Sequence, residues 1–352
     1  MKLGMGLYKH MLNKQHYDFA RQCGCTHVVV HLVDYFNKVK QDNKNNQPIG
    51  DAAGWGIAGD PNKIWTVEYL KSLKKEINDA GLILEAIENF DPAHWYDVLL
   101  DGPKKVVQIE GIKQIIRNVG AAGIPIIGYN FSLAGVCSRT VGNFARGNAE
   151  SVGMDHVDER PIPNGMVWNM IYDTNAPKGH LPDISNEELW QRVTYFLNEV
   201  IPVAEEAGVK LAAHPDDPPM PVVRHTPRLV YQPGLYQKLL NISPSKNNAL
   251  EFCLGSIAEM TESNVYEATR TYAGHIAYIH FRNIKGKVPF YKEVFLDEGD
   301  IDMIRIIKIL KAENFDGVLI PDHTPQMSCS DSWYAGMAYA LGYMNAALKI
   351  ID

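Results

Sequence analysis

Cysteine is scarce in this sequence. The 352 residues include five, an odd number, and Cys23 and Cys25 stand too close together for an ordinary loop-closing bridge. A disulfide framework is excluded and a reducing compartment is expected. Long apolar runs are also missing, and none approaches the roughly 20 residues that span a bilayer. Met1-Lys2-Leu3-Gly4-Met5 opens no apolar stretch with a cleavage site, so a cytoplasmic protein without membrane contact is expected. Basic charge is in deficit, with 34 Lys and Arg against 41 Asp and Glu, a net charge of −7 with neutral histidine. Such a surface repels nucleic acid and anionic membranes. It leaves small anions open as substrates, because a metal or a local arginine reverses the potential inside a pocket.

The residues that are present describe a globular protein. Hydrophobic residues make up 46%, charged residues 21% and aromatic residues 10%, enough for a sizeable core and unlike a disordered or collagenous chain. Short apolar runs alternate with helical periodicity. Strands are expected at 4–8, 26–32, 82–87, 124–129, 209–213, 249–253, 275–281 and 317–321. Helices are expected at 66–80, 106–121, 186–207, 229–240, 257–272, 301–312 and 332–348. Ala-Gly followed by an apolar run recurs at Ala80-Gly81, Ala122-Gly123 and Ala207-Gly208, a helix stop followed by a strand. Residues 37–59 read as one long loop. Residues 131–185 keep no regular period and read as a large excursion over one mouth of the fold.

Eight strands, each followed by a helix, predict an α/β protein, a (β/α)8 TIM barrel occupying 1–352 as one domain, with the 131–185 excursion after strand four covering the active site. A doubly wound sheet fits less well, because Gly4-Met5-Gly6 lacks the third glycine of a phosphate-binding fingerprint.

Four metal-ligand types fall at the ends of four successive predicted strands: His214, Cys253, His280 and Asp322. In a barrel these ends share one rim. Imidazole, thiolate and carboxylate together suit Mn²⁺, Fe²⁺ or Zn²⁺. Beside them lies the stiff acidic segment Pro215-Asp216-Asp217-Pro218-Pro219. Asp216 is expected either to hold the far nitrogen of a ligand histidine or to contact substrate hydroxyls. The polar run from Met154 to Arg160 reads as the solvated face of a lid.

The full chain resembles the mannonate dehydratase family of xylose-isomerase-like barrels. The resemblance rests on Gly128-Tyr129-Asn130-Phe131, His214 to Pro219, Phe252-Cys253-Leu254-Gly255-Ser256, His280-Phe281-Arg282-Asn283, Asp297 to Met303 and Pro321-Asp322-His323. It implies Mn²⁺ or Fe²⁺ held by His214, Cys253, His280 and Asp322. It implies a small sugar-acid substrate, D-mannonate, dehydrated to 2-keto-3-deoxy-D-gluconate. Asn130, Arg282, Asn283 and His323 are its implied substrate contacts, and Tyr334 its implied catalytic tyrosine. His323 and Tyr334 would share the acid and base roles, and Arg282 would grip the carboxylate. Pairing into a homodimer is expected by analogy with other barrels. The chain departs from the family pattern at Glu88 to Trp95, at Ser132 to Arg139 and at Thr324, all on the expected rim, as a divergent branch would.

Three other readings compete. A metal-dependent sugar isomerase or epimerase would draw on Glu85, Glu88 and Glu251. A metal-dependent nuclease would need a basic groove, which the charge balance opposes. A non-catalytic barrel could bind sugar acids without turning them over.

Overall fold

The computed structural model describes residues 1–37, 47–49 and 54–351. Eight parallel strands close into a barrel: β1 (Lys2–Leu7), β2 (His27–Val30), β3 (Ile83–Glu88), β4 (Ile126–Tyr129), β5 (Lys210–Ala213), β6 (Asn248–Cys253), β7 (Ile276–His280) and β8 (Val318–Ile320). Each pairs with its sequence neighbour, and β8 closes on β1 with Val318 opposite Lys2. All eight expected strands are present.

The barrel interior takes one residue from most strands, including Val29, Ala86, Ile126, Ala212, Ala249, Tyr278 and Val318. The alternate residues of the same strands, such as Val28, Ile127, Leu211 and Leu319, face a larger core shared with helix residues Ile112, Ile116, Phe196 and Ile306. This two-sided burial explains why the strands read as continuous apolar runs rather than as alternating patterns.

Local chemistry sets the helix ends. Thr66 accepts a hydrogen bond from the Tyr69 amide and starts Val67–Asp79. Ser185 and Glu188 form a reciprocal capping box that starts Asn186–Ala207, and Gly208 ends it at φ 67°. The expected helix at 257–272 is two helices, Leu254–Glu259 and Val265–Tyr272, because the Asn264 side chain accepts from the amides of Tyr266 and Glu267 and restarts the coil. The helix expected from 229 begins at Gly234, after Pro233. The helix Lys14–Gln22, capped by Asn13, was not expected.

The 131–185 excursion corrects the expectation of an irregular segment. Thr140–Ala145 and Ala149–Met154 form a hairpin whose turn carries Gly147 and Asn148, both at positive φ, the backbone that tight hairpin turns require. A second hairpin joins Met166–Val167 to Met170–Ile171, and Gly56–Ile57 adds to it in parallel. After β7 comes another hairpin, Asn283–Lys287 with Phe290–Val294. Its second strand pairs with the excursion, Tyr291 opposite Met154, to make a four-stranded sheet over the rim. The expected loop at 37–59 lies partly outside the described residues.

Candidate metal centre and active site

The barrel register sets the site. Cys253 ends β6 opposite His280, the last residue of β7, and His280 lies opposite Ile320 of β8, two residues before Asp322. His214 follows β5. The four expected ligands therefore gather at the C-terminal mouth, and a ligand atom from each of His214, Cys253 and His280 lies within 4.8 Å of the others. Asp322 joins through Oδ2, 3.5 Å from His280 Nδ1. Asp322 adopts φ 65°, a left-handed conformation unusual outside glycine and asparagine. The barrel thus holds this carboxylate in a strained pose.

The ring nitrogens are sorted by their neighbours. His214 Nδ1 lies 2.6 Å from the Pro215 carbonyl, a bond that leaves Nε2 to face Cys253. His280 Nε2 lies 3.3 Å from Glu88 Oε2 and 3.2 Å from Glu251 Oε1. His280 Nδ1, on the other side of the ring, is buried and faces Asp322 and Cys253. Carboxylates behind a ligand imidazole fix its ring and raise its basicity.

The protonation pattern fits a divalent cation. Burial alone would raise the Cys253 thiol, but the Arg282 guanidinium and hydrogen bonds from His214 and His280 hold it well below its ordinary range. Burial opposes charge on His214, yet its bond to Cys253 and the nearby Glu251 and Cys253 charges push it up to about 9. His280 is also raised, against burial, by Asp322 and Glu88. Asp322 is held low, against burial, by His323 and His280. Thiolate and carboxylate are already ionised, and two imidazoles each carry a proton that a ligand must lose. Replacing those two protons by one dication conserves the charge of the cluster.

A second donor group, Glu88, Glu251 and His280, lies one layer deeper. Glu88 stays ionised, against burial, through His31 and His280, whereas burial and the Glu88 charge push Glu251 up. Gly128 makes room for this layer. A Cβ there would lie 2.2 Å from Glu251 Oε2 and 2.3 Å from the Tyr278 hydroxyl.

His214, His280 and Asp322 line a cavity of about 550 Å³, counting its mouth. Of the expected substrate residues, Asn130 and His323 line it. Asn130 Oδ1 accepts from Trp168 Nε1 at 3.1 Å, and its amide donates to the His214 and Pro215 carbonyls. His323 Nδ1 is 2.8 Å from Glu293 Oε2 and its Nε2 is 3.2 Å from Asp322 Oδ2.

Four expectations are corrected. Tyr334 stands on the helix Ser332–Ile351, where its hydroxyl accepts from Gln15 at 3.0 Å and lies 3.2 Å from His16 Nε2, outside the cavity lining. Asn283 spends its amide on the Leu296 and Ile301 carbonyls and its oxygen on the Ile284 and Ile301 amides, so it staples a loop. Asp216 accepts from the Leu229 and Val230 amides and pairs with Arg228, bracing the acidic segment instead of touching a ligand. Arg282 is 2% exposed and lies behind the ligands, bonded to Glu259, Glu293 and Ser256, with Nη2 3.4 Å from Cys253 Sγ. It stabilises the thiolate instead of facing the cavity.

Sequence reasoning missed Tyr8, Arg139 and Asp217, which line the cavity. Tyr8 follows β1 directly, so its place on the rim was legible from the strand position. Arg139 pairs with Asp217 at 3.1 Å, and no local pattern marks it.

The D-mannonate dehydratase (UxuA) family model matches residues 21–348. Among curated relatives, mannonate dehydratase of Streptococcus suis (strain 05ZYH33) is 34% identical over 278 residues, covering 74% of each chain. Mannonate dehydratase 2 of Halalkalibacterium halodurans is 33% identical over 275 residues, covering 74% of this chain and 79% of that one. The crystal structure of mannonate dehydratase from Streptococcus suis serotype 2 superposes with TM-score 0.75 at 25% identity, covering 100% of this chain and 93% of that one. A D-psicose 3-epimerase from Clostridium cellulolyticum H10 reaches TM-score 0.58 at 12% identity, covering 100% of both chains, a likeness of fold alone.

Proposed function

This chain belongs to the D-mannonate dehydratase family, and from that premise we propose that it is a hydro-lyase that converts D-mannonate to 2-keto-3-deoxy-D-gluconate with a bound Mn²⁺ or Fe²⁺. The observation that supports the reading is the convergence of His214, Cys253, His280 and Asp322 at the barrel mouth, where His214, His280 and Asp322 line one cavity.

The reaction removes a proton from C2 and hydroxide from C3, and the resulting enol becomes the 2-keto acid. His214, Cys253, His280 and Asp322 would hold the cation, which would supply Lewis acidity to the bound sugar acid. His323 accepts the C2 proton. Its Nδ1 is tied to Glu293, so Nε2 is the working nitrogen. Tyr8 donates to the departing C3 oxygen. Burial, then the Asp322 and Glu88 charges, push its phenol up, so it keeps its proton at neutral pH. Arg139 orients the sugar acid from the cavity wall, and Asn130 holds the rim around His214. Trp55 and Trp168 form an apolar wall that displaces water.

A second reading rests on Glu88 and Glu251, whose carboxylates flank His280 as an isomerase or epimerase would need. The product separates the two. Anaerobic, metal-loaded protein is incubated with a panel of aldonates, and 2-keto-3-deoxy acid is measured. Product from D-mannonate supports the dehydratase. Interconversion of sugars with an unchanged formula supports the second reading.

The assembly proposed with this reading is a homodimer, checked by sedimentation. The cytoplasmic setting is proposed on the five free cysteines and on the finding that no helix among the described residues is long and apolar enough to cross a membrane.

A further inference from the structure

The polar run after Met154 helps wall a second cavity beside the first. This cavity measures about 410 Å³ with its mouth. The two share Pro48, Trp55, Val136 and Arg139, so they adjoin along one wall. Three guanidiniums line it, Arg139, Arg160 and Arg224, against one lining carboxylate among the described residues, Asp158. Arg160 grips Asp158 through Nε at 2.8 Å and Nη2 at 2.9 Å. Arg139 is paired on its other side with Asp217. Among the described residues, three cations thus face two carboxylates, in a chain whose net charge is −7.

Arg224 is the telling member. Its side chain is 1% exposed, yet its nearest carboxylate oxygen among the described residues, on Asp158, is 3.8 Å away. Nη1 donates to Asn169 Oδ1 and Nε to the Arg160 carbonyl, but Nη2 is buried with no partner. Arg139 Nε is likewise buried and unpartnered. An unpaired guanidinium N–H costs free energy that an anion would return. Burial lowers the Arg224 pKa in spite of Asp158, in line with incomplete compensation.

We propose that this second cavity is a subsite for a second anionic group, a carboxylate or phosphate, at the far end of a sugar acid whose near end lies at the metal ligands. The inference rests on the dehydratase reading and narrows it to a substrate class. The native substrate range then includes dianionic acyclic acids, for which D-mannonate is the monoanionic short form. Arg139, on the shared wall, lies beside the chain of such a molecule, and Arg160 and Arg224 receive its end. A bidentate guanidinium contact favours both anions.

The test uses metal-loaded full-length protein and three substrates: D-mannonate, the hexarate with a C6 carboxylate, and D-mannonate 6-phosphate. The readout is the ratio of kcat/KM for each dianion to that for D-mannonate. In the wild type at least one ratio should exceed one, and whichever dianion gives it identifies the group. Arg160→Gln should lower that ratio at least tenfold. Arg160 is half exposed, so this variant should fold. Arg224→Lys, with melting temperature recorded, is the second variant. Inorganic phosphate should compete with the dianion. If it binds while the ratio stays within twofold in both variants, the cavity holds free anions only and the proposal is overturned. Turnover of D-mannonate with neither dianion used also overturns it. If D-mannonate itself goes unchanged, the dehydratase reading fails first. Calorimetric binding of the dianions, tenfold weaker in Arg160→Gln, then decides the subsite on its own.

Discussion

Replacing Gly128 by alanine should loosen the metal without touching a ligand. The new Cβ would lie 2.2 Å from Glu251 Oε2 and 2.3 Å from the Tyr278 hydroxyl, more than 1 Å inside ordinary contact. Both atoms are ends of side chains, which would normally swing away at little cost. Here both are confined: Tyr278 is 0% exposed, and Glu251, 1% exposed, has only the cavity it lines to move toward. Glu251 Oε1 is also engaged with His280 Nε2 at 3.2 Å. Overpacking of this kind costs about 1–3 kcal/mol. Removing a strand glycine returns roughly 0.5–1 kcal/mol of backbone entropy. The expected net loss is about 1–2 kcal/mol, a fall of a few degrees in melting temperature for the metal-free protein. The larger consequence is on the ring. If the carboxylates orient His280, displacing Glu251 should weaken Mn²⁺ binding about tenfold or more, within the range for groups that support a ligand. Titration of metal into the apoprotein, followed by calorimetry, measures this directly. A melting loss with metal affinity unchanged within twofold would refute the claim that Glu251 acts on the metal through His280.

Cys253→Ala should abolish tight metal binding and turnover together, read by metal content and 2-keto acid release; a fully loaded variant would remove Cys253 from the ligand set. Tyr334→Phe should leave kcat/KM within about threefold, whereas Tyr8→Phe should lower kcat by roughly 10²-fold or more, as expected for loss of a general acid. Chelation should lower the melting temperature, and restoring the metal to 100 times its Kd should return about 2.7 kcal/mol. Asp217 is held at about 2, against burial, by Arg139 and Arg282. Because its folded pKa lies below the unfolded value of 3.8, its contribution is complete above pH 3.8 and fades toward pH 2. That contribution is about 2 kcal/mol, and urea unfolding at stepped pH should show it missing from the acid limb in Asp217→Asn.

The barrel was legible because strands buried on both sides are short apolar runs, and because Gly81, Gly123 and Gly208 mark the helix stops before three of them. The meeting of the four candidate ligand residues was legible for the same reason: a strand end fixes a rim position. Residues that act through long-range pairing were not legible. Asn283 and Asp216 look like substrate contacts in sequence, but all of their side-chain hydrogen bonds to backbone except the one from the adjacent Ile284 amide close thirteen or more residues away. Tyr334 lies only twelve positions beyond Asp322 in sequence, yet its helix presents it to His16. The hairpins of the excursion are short and broken by Gly142 and Gly153, so no period survives. Their order comes from Tyr291 and Lys292 of a distant segment.

That pairing of the excursion with the hairpin after β7 bears on how such an enzyme can be altered. Rim loops of a barrel are usually separate modules, each swappable without its neighbours. Here two of them share one sheet across the mouth, with Lys292 opposite Gly153. Transplanting 131–185 alone from a relative would leave Phe290–Val294 with a raw edge, open to pairing with another chain. For recombination, by evolution or by design, the two segments are one heritable unit.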